Sequence, residues 1–374
     1  MDKNLGELLT RGVEKVIPRE LAEKKLLSGE KLRIYFGVDP TGAKLHLGHS
    51  VPLRKLNDFA KAGHEVIFLV GSFTAMIGDP SGRDVMRVPL KREEVEANFQ
   101  TYKQQAGKIL DISKIEVRYN HEWLDPLKFA EVVNLAGNFT VQQMLQRDMF
   151  EKRLKEGKPI SLHEFLYPLM VGYDSVVLDV DAELGGSDQE FNMLAGRSLQ
   201  QVFKKREKFV LTTQLIEGID GRKMSKTYDN CVYLEDSPAD MYGKLMSISD
   251  DLVKKYFECL TSVDMKEVEE IMKGHPKESK MRLALEITKI YHGEDAAGKA
   301  QESFEKTFSK GGIPKDIETV EVSKDTPLVE ILLKQGLVSS KTEFNRLNKE
   351  GAIKEIENGV YRIGKHRFLK IERS

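Results

Sequence analysis

The sequence contains little cysteine, no long apolar run and almost no net charge. Its two cysteines, Cys231 and Cys259, fit neither a disulfide framework nor a cysteine metal motif, so we expect a reducing, cytoplasmic compartment. The longest apolar run, residues 66–77, is interrupted and too short to cross a bilayer, and the N-terminus lacks the apolar core of a signal peptide. The 58 Lys and Arg residues nearly balance the 59 Asp and Glu residues. We therefore expect no membrane partner and no strong overall attraction to nucleic acid.

Apolar runs alternate with amphipathic ones over the first part of the chain. This alternation predicts an α/β protein with a parallel sheet covered by helices on both faces. An amphipathic helical start is expected at 4–29, and a purely helical region at 237–308. Strands are expected at 31–38, 64–73, 114–120 and 208–213, helices at 50–63 and 90–110, a helical stretch at 123–172, and a strand–turn–helix unit at 181–203.

The stretch "YFGVDPTGAKLHLGHS" carries His46, Gly48 and His49 where a strand ends and a helix begins. A metal site is not predicted, because no Cys, Asp or Glu joins the two histidines at ligand spacing. The N-terminus of a helix offers unpaired N–H groups to anions, and two imidazoles there could donate hydrogen bonds to a phosphate. From this stretch alone, a capped turn with surface histidines is an equal alternative.

A second motif, "GIDGRKMSKTYDN", carries Lys223, Lys226 and Thr227 in a glycine-bounded loop. Either lysine alone would be interpreted as a solvated surface charge. Together with "HLGH" on a parallel-sheet scaffold, however, "KMSKT" resembles the signatures of class I aminoacyl-tRNA synthetases. These enzymes join the carboxylate of an amino acid to the α-phosphorus of ATP and release pyrophosphate.

The resemblance implies which residues assist this reaction. Because the nucleophile belongs to the substrate, the protein needs aligned donors and cations where negative charge develops on the phosphates. The implied catalytic residues are His46, His49, Lys223, Lys226 and Thr227. The implied ATP-binding residues are Asp39, Thr41, Gly48, Gly186, Asp188 and Lys226. ATP is expected as a complex with Mg²⁺, with no dedicated metal ligand in the protein and no prosthetic group.

Three further stretches, "YFGVDPT", "FLYPLMVGYDS" and "GGSDQ", resemble the tyrosyl-tRNA synthetases in particular. The resemblance implies that Tyr35 and Asp174 bind the phenol hydroxyl and that Asp79 and Tyr167 bind the ammonium group. The implied tyrosine site as a whole comprises Tyr35, Gly37, Asp79, Tyr167, Val171, Asp174 and Gln189. Taken singly, Tyr167 could be a core aromatic and Asp174 a helix cap.

Val171 departs from the family pattern, in which glutamine usually stands at this position and helps to bind the amino group. A valine side chain can neither donate nor accept a hydrogen bond. We therefore expect weaker tyrosine binding or a rearranged pocket, and no change in the reaction.

The segment from Thr326 to Ser374 is basic, with ten Lys and Arg residues against six Asp and Glu residues, whereas the remainder of the chain carries a net negative charge. It resembles the small RNA-binding domain of a ribosomal protein and of bacterial-type tyrosyl-tRNA synthetases. Lys341, Arg346 and Lys349 recur at helical spacing and could follow an RNA backbone.

The complete prediction is a Rossmann-like doubly wound parallel sheet, a helical domain and a small α+β RNA-binding domain. The predicted divisions are 1–220 with a helical dimerisation insertion at about 123–163, then 221–308, a linker at 309–325, and 326–374. The resemblance implies a homodimer that charges tRNA-Tyr with L-tyrosine. A tryptophanyl-tRNA synthetase and a non-catalytic RNA-binding protein with the same fold remain alternatives.

Overall fold

The structure is a computed structural model that describes residues 3–81, 90–309, 317–323, 326–338, 340–357, 359–364 and 367–373. Over these residues, no helix is both long enough and apolar enough to span a bilayer.

A six-stranded sheet in the order β1-β6-β5-β2-β3-β4 forms the centre of the described N-terminal part. Neighbours from β6 to β4 pair in parallel, and β1 pairs antiparallel with β6 at one edge. This arrangement confirms the predicted doubly wound α/β class. The strands are β1 Val13–Ile17, β2 Arg33–Val38, β3 Glu65–Val70, β4 Glu116–Tyr119, β5 Ala182–Gly186 and β6 Phe209–Thr213.

Helices cover both faces of the sheet and continue beyond it. In the first part of the chain they are α1 Lys3–Leu8, α2 Arg19–Leu27, α3 Leu47–Lys61, α4 Thr74–Ile77, α5 Arg92–Ala106, α6 His121–Leu124, α7 Phe129–Ala136, α8 Val141–Leu145, α9 Asp148–Lys155, α10 Leu162–Leu178 and α11 Glu190–Lys204. The later helices are α12 Pro238–Met246, α13 Val253–Leu260, α14 Met265–Met272, α15 Pro276–His292 and α16 Glu294–Ser309. The predicted helical stretches at 123–172 and 237–308 are confirmed.

The predicted helical start at 4–29 is wrong, because β1 lies between α1 and α2. The sequence of β1, "VEKVI", is too short to show the alternation of a strand clearly between two amphipathic helices. Its strand conformation depends on tertiary pairing with β6, which local sequence does not encode.

The chain reverses its direction of travel across the sheet between β2 and β5. It first proceeds from β2 to β3 and β4 on one side, and then returns to place β5 and β6 on the other side of β2. In open α/β sheets, the crevice outside the carboxyl ends of the strands at such a reversal is where ligands bind. The turns after Val38 and Gly186 lie at this crevice.

A single apolar core joins the sheet to the helical region that follows it. Phe68 of β3 and Leu211 of β6 belong to the same buried cluster as Tyr242 of α12 and Leu283 of α15. The helical region predicted from residue 221 therefore does not have a separate core.

The C-terminal segment has its own core and a four-stranded sheet in the order β7-β10-β9-β8. Its elements are β7 Thr319–Val322, α17 Leu328–Lys334, α18 Lys341–Lys349, β8 Ile353–Glu357, β9 Val360–Ile363 and β10 Arg367–Arg373. Strand β7 lies inside the predicted linker 309–325 and pairs in parallel with β10, so this sheet begins earlier than the sequence predicts. Residues 310–316 and 324–325 of that linker lie outside the described residues.

Candidate active site

A cavity of about 760 Å³ opens at the reversal between β2 and β5. All the residues predicted for catalysis, ATP and tyrosine line it, so the structure brings the separate motifs together. They are Tyr35, Gly37, Asp39, Thr41, His46, Gly48, His49, Asp79, Tyr167, Val171, Asp174, Gly186, Asp188, Gln189, Lys223, Lys226 and Thr227.

The two histidines cap helix α3 with their ring nitrogens. His46 Nδ1 accepts a hydrogen bond from the backbone N–H of Gly48 at 3.2 Å, and His49 Nδ1 accepts one from the backbone N–H of His46 at 3.2 Å. A Cβ atom on Gly48 would lie 3.0 Å from the His46 ring, so glycine permits this close packing. Because each Nδ1 is an acceptor, the ring hydrogen of each neutral imidazole lies on Nε2.

Both imidazoles remain neutral at physiological pH. Burial, followed by the neighbouring His49 and the lysines of the loop, lowers the pKa of His46 to about 2. Burial and the same lysines lower the pKa of His49 to about 3. Neutral rings can donate from Nε2 to an anion without adding cations that would repel Lys223 and Lys226.

The loop "GIDGRKMSKTYDN" is held in a defined conformation by Asn230. The Asn230 amide nitrogen donates to Asp220 and to the carbonyl groups of Arg222 and Lys223, and its oxygen accepts from Ser225 N–H at 2.8 Å. Met224 is buried between the two exposed lysine positions and anchors the loop to the core. The loop backbone is therefore held in place, and its two lysines line the cavity.

Backbone pairing connects the two signature motifs directly. Leu47 N–H donates to the carbonyl of Val232 at 3.0 Å, and Leu234 N–H donates to the carbonyl of Leu45 at 3.0 Å. The segment that follows the lysine loop thus runs beside the segment that contains the histidines. This pairing explains why motifs so distant in sequence line one cavity.

Two carboxylates lie near these motifs. Asp39 accepts hydrogen bonds from Thr74 Oγ1 at 2.7 Å and from Tyr167 Oη at 3.0 Å. Asp188 forms an ion pair with Lys223, with Nζ and Oδ2 2.7 Å apart. The cavity therefore combines acceptors with the donors and cations of the two motifs.

Tyr35 and Asp174 line the cavity from deeply buried positions and are only 1% and 2% exposed. Asp174 accepts hydrogen bonds from Trp123 Nε1 at 2.8 Å and from Asn120 Nδ2 at 3.3 Å. Burial raises the pKa of Asp174 well above its ordinary value, although these two donors oppose the shift. Burial likewise raises the pKa of Tyr35, so its hydroxyl keeps its proton.

Asp79 is held by a chain of amides. It accepts from Ser81 N–H at 2.9 Å and from Gln189 Nε2 at 2.8 Å, and Gln189 Oε1 in turn accepts from Asn192 Nδ2 at 2.8 Å. Asn192 is fully buried, and its Oδ1 has no hydrogen-bond partner within the described residues. Val171 also lines this cavity, as the sequence implies.

Sequence reasoning missed the residues that support the predicted ones. Asn120 and Trp123 donate to Asp174, and Thr74 donates to Asp39. Asn192 and Arg147 donate to Gln189 and Ser81, the two residues that hold Asp79. The only local signal was the position of Asn192 three residues after Gln189, on the first turn of α11. The others come from elements whose approach depends on the fold.

The three predicted RNA-binding residues lie elsewhere, on helix α18. Lys341, Arg346 and Lys349 are all exposed, while Leu347 between them is buried in the C-terminal core. Arg346 pairs with Glu350 on the same helix. The three positively charged side chains are therefore carried by one helix and are exposed to solvent.

No cluster of three or more His, Cys, Asp and Glu side chains suited to a metal ion occurs among the residues that the structure describes. Both cysteines are free and buried.

Comparison with known proteins identifies similar chains over nearly the whole length. The family model for class I tRNA synthetases (W and Y) matches residues 27–309. The tyrosine–tRNA ligase of Nitratidesulfovibrio vulgaris is 46% identical over 393 aligned positions, which cover 99% of this chain and 98% of the relative. The tyrosine–tRNA ligase of Thermotoga maritima is 45% identical over 386 positions, which cover 98% and 96%.

Among solved structures, a C-terminally truncated mitochondrial tyrosyl-tRNA synthetase from Coccidioides posadasii has a similar fold. It matches with a TM-score of 0.66 and 26% identity, and the match covers 81% of this chain and 92% of that one.

Proposed function

The chain belongs to the tryptophan and tyrosine group of class I tRNA synthetases, and on this premise we propose that it is an ATP-dependent tyrosine–tRNA ligase. The observation that supports the proposal is the shared cavity, which is lined by a buried hydroxyl and carboxyl pair, Tyr35 and Asp174, and by the residues of the histidine and lysine motifs. The full-length similarity to tyrosine–tRNA ligases supports the same assignment.

In the first step, a carboxylate oxygen of tyrosine attacks the α-phosphorus of ATP, and the bond to pyrophosphate breaks. His46 and His49 donate hydrogen bonds from Nε2, and Lys223, Lys226 and Thr227 stabilise the charge on the leaving group. In the second step, a ribose hydroxyl of the terminal adenosine of tRNA attacks the carbonyl carbon, and AMP leaves. Mg²⁺ enters with ATP as part of the substrate.

The remaining cavity residues bind the substrates. Asp39, Thr41, Gly48, Gly186 and Asp188 contact ATP, with glycine permitting close approach of the nucleotide. Tyr35 and Asp174 bind the phenol hydroxyl, while Asp79 and Tyr167 bind the ammonium group, with Gly37, Val171 and Gln189 alongside. Phenylalanine has no hydroxyl to accept from Tyr35 and donate to Asp174, so two buried hydrogen bonds are not formed, and this is the basis of discrimination.

Amino-acid-dependent exchange of labelled pyrophosphate into ATP tests the assignment. We expect exchange with tyrosine and very little with phenylalanine or tryptophan, because only a phenol satisfies Tyr35 and Asp174. A variant with Lys223→Met and Lys226→Met changes two exposed side chains and should lose exchange with every amino acid. A tryptophan response would establish the tryptophan-specific alternative, and no response to any amino acid would favour the RNA-binding alternative.

Val171 gives a second test of the site. We expect Val171→Gln to lower the Michaelis constant for tyrosine by about tenfold, because a buried hydrogen bond to a charged group contributes roughly 1.5–3 kcal/mol. The Michaelis constant for ATP should change little. Val171→Leu is the matched control, since it adds volume without a polar group. An equal effect of both substitutions, or weaker tyrosine binding by the glutamine variant, would contradict this placement of Val171.

We further propose that the chain works as a homodimer through the helical insertion. Five large apolar side chains of this region are strongly exposed in the single chain: Phe129 83%, Val133 54%, Val141 63%, Leu154 59% and Leu162 81%. Exposed apolar residues gathered in one region of a soluble protein indicate a protein–protein interface.

We expect the double variant Phe129→Arg and Leu162→Arg to sediment as a single chain at a concentration where the unmodified protein sediments as a dimer. The charges would have to be buried without partners in the interface. Leu27→Arg is the control, because Leu27 is 62% exposed on α2, outside the insertion. A monomeric unmodified protein would refute the dimer.

The C-terminal domain is proposed to bind tRNA through Lys341, Arg346 and Lys349. All three side chains are exposed on α18, and the domain has its own core, so changes there should not alter the catalytic cavity.

The two buried free cysteines also support the proposal of a reducing, cytoplasmic location.

We expect the triple variant Lys341→Glu, Arg346→Glu and Lys349→Glu to lose at least about tenfold in tRNA charging and to depend less steeply on salt. Tyrosine-dependent pyrophosphate exchange should be unchanged. Charge reversal at Lys204 and Lys205, which are exposed at the end of α11, is the matched control. Removal of residues 317–374 should have the same effect; a cut after residue 323 would leave β7 without its partner β10. Full charging by the triple variant would exclude α18 as an RNA contact.

A further inference from the structure

A buried polar network lies directly behind Tyr35. Ser175 of α10, Glu183 of β5 and Lys208, next to β6, are 0%, 3% and 0% exposed. Lys208 Nζ donates to both Ser175 Oγ and Glu183 Oε2, and Ser175 Oγ lies 3.0 Å from Tyr35 Oη. Ser175 ends the stretch "FLYPLMVGYDS", but none of the three residues is among the predicted site residues.

The fold makes room for this network. A Cβ atom on Gly196 of α11 would lie 2.5 Å from Ser175 Oγ and 2.7 Å from Lys208 Nζ, so a side chain at position 196 would collide with both. A buried ion pair is also a poor source of stability, because removing two charges from water costs about as much as their attraction returns. The burial of this ion pair is therefore weak evidence for a role in stability.

The direction of the hydrogen bonds follows from the groups present. A lysine ammonium group can only donate, so Ser175 Oγ accepts from Lys208. The single hydrogen of Ser175 can then go to Tyr35 Oη at 3.0 Å or to Glu183 Oε2 at 3.2 Å. Glu183 Oε2 already accepts from Lys208, and the contact with Tyr35 is the shorter one.

When Ser175 donates to Tyr35, the Tyr35 hydrogen has two possible acceptors, the nearby Glu183 carboxylate and a group in the cavity. Because Lys208 already donates to Glu183 Oε2, a cavity acceptor is the better partner. Asp174, which lines the same cavity, accepts one hydrogen bond at each carboxyl oxygen, from Trp123 and from Asn120. A phenol between the two would accept from Tyr35 and donate to Asp174. A phenol is suited to this arrangement because its oxygen accepts one hydrogen bond while its hydrogen makes another.

We propose that Lys208, Ser175 and Glu183 form a proton-ordering relay that fixes Tyr35 as the hydrogen-bond donor to the phenol oxygen of the substrate. Lys208 donates to Ser175 and so directs the Ser175 hydrogen toward Tyr35. Glu183 neutralises the buried charge of Lys208. They act through Tyr35, so they are positioning residues for specificity, and the inference rests on the proposed tyrosine-activating function.

Ser175→Ala tests the relay, because it removes the connecting hydroxyl and leaves the Lys208–Glu183 ion pair intact. Pyrophosphate exchange is measured with tyrosine, phenylalanine and 4-aminophenylalanine, whose amino group donates hydrogen bonds but accepts them weakly. We expect kcat/KM for tyrosine to fall about three- to tenfold, through the Michaelis constant for tyrosine and not that for ATP. Exchange with phenylalanine should be unchanged, and 4-aminophenylalanine should gain relative to tyrosine, because Tyr35 becomes free to accept.

A second variant, Lys208→Met with Glu183→Gln, removes both charges together and leaves neither one buried alone. It should show the same change in substrate preference. Asp181→Asn is the matched control: it replaces another buried carboxylate of this region, one that pairs with Lys25 and Arg206. This control should leave the ratio of tyrosine to phenylalanine unchanged.

The outcomes separate the relay from the proposed function. If the unmodified protein shows no tyrosine-dependent exchange, the proposed function fails. If the unmodified protein is active with tyrosine, an equal loss for all three amino acids in Ser175→Ala, or no loss for tyrosine, overturns the relay. Should the double variant fail to fold, Ser175→Ala decides the question alone.

Discussion

The arrangement of the whole site depends on the reversal of strand order between β2 and β5. This reversal leaves a crevice at the carboxyl ends of two adjacent parallel strands, where the chain leaves the sheet at Asp39 and again at Ser187. The same geometry places the N-terminus of α3 beside the crevice. Residues 45–47 then pair with residues 232–234, which holds the lysine loop against the same opening. Each motif is thus attached to a rigid element, and rigid attachment is what alignment of two substrates requires.

The histidine and lysine motifs offer hydrogen-bond donors and cations to an anion without accumulating buried positive charge. The two histidines contribute donors while uncharged, because burial and the nearby lysines keep their pKa values low. The positive charges lie on the loop, where Lys223 remains partly exposed and pairs with Asp188. Exposed cations avoid most of the desolvation cost, and they gain strength when a bound substrate excludes water.

The sequence was sufficient to predict the parallel sheet. It also allowed the predicted site residues that line the cavity to be named, because they lie in or next to short motifs that resemble those of a known family. It could not predict β1, whose five residues become a strand only by pairing with β6, or β7, which pairs with a strand about fifty residues later. Nor could it predict Asn120, Trp123 or Lys208 as partners of the site. Their side chains have ordinary structural interpretations until the fold brings them to Asp174 and Ser175.

The valine at position 171, where the family resemblance implies glutamine, illustrates how the proposed site divides recognition between the two ends of tyrosine. An ammonium group is attracted mainly by carboxylates, and Asp79 remains in place through Ser81 and Gln189. The loss of one neutral amide should therefore weaken affinity for any amino acid, since all of them carry the ammonium group. In the proposed site, discrimination among amino acids depends instead on the side-chain end, where Tyr35 and Asp174 are buried and hydrogen-bonded to other side chains. A chain with valine at position 171 can thus bind its substrate less tightly and still select it by the phenol.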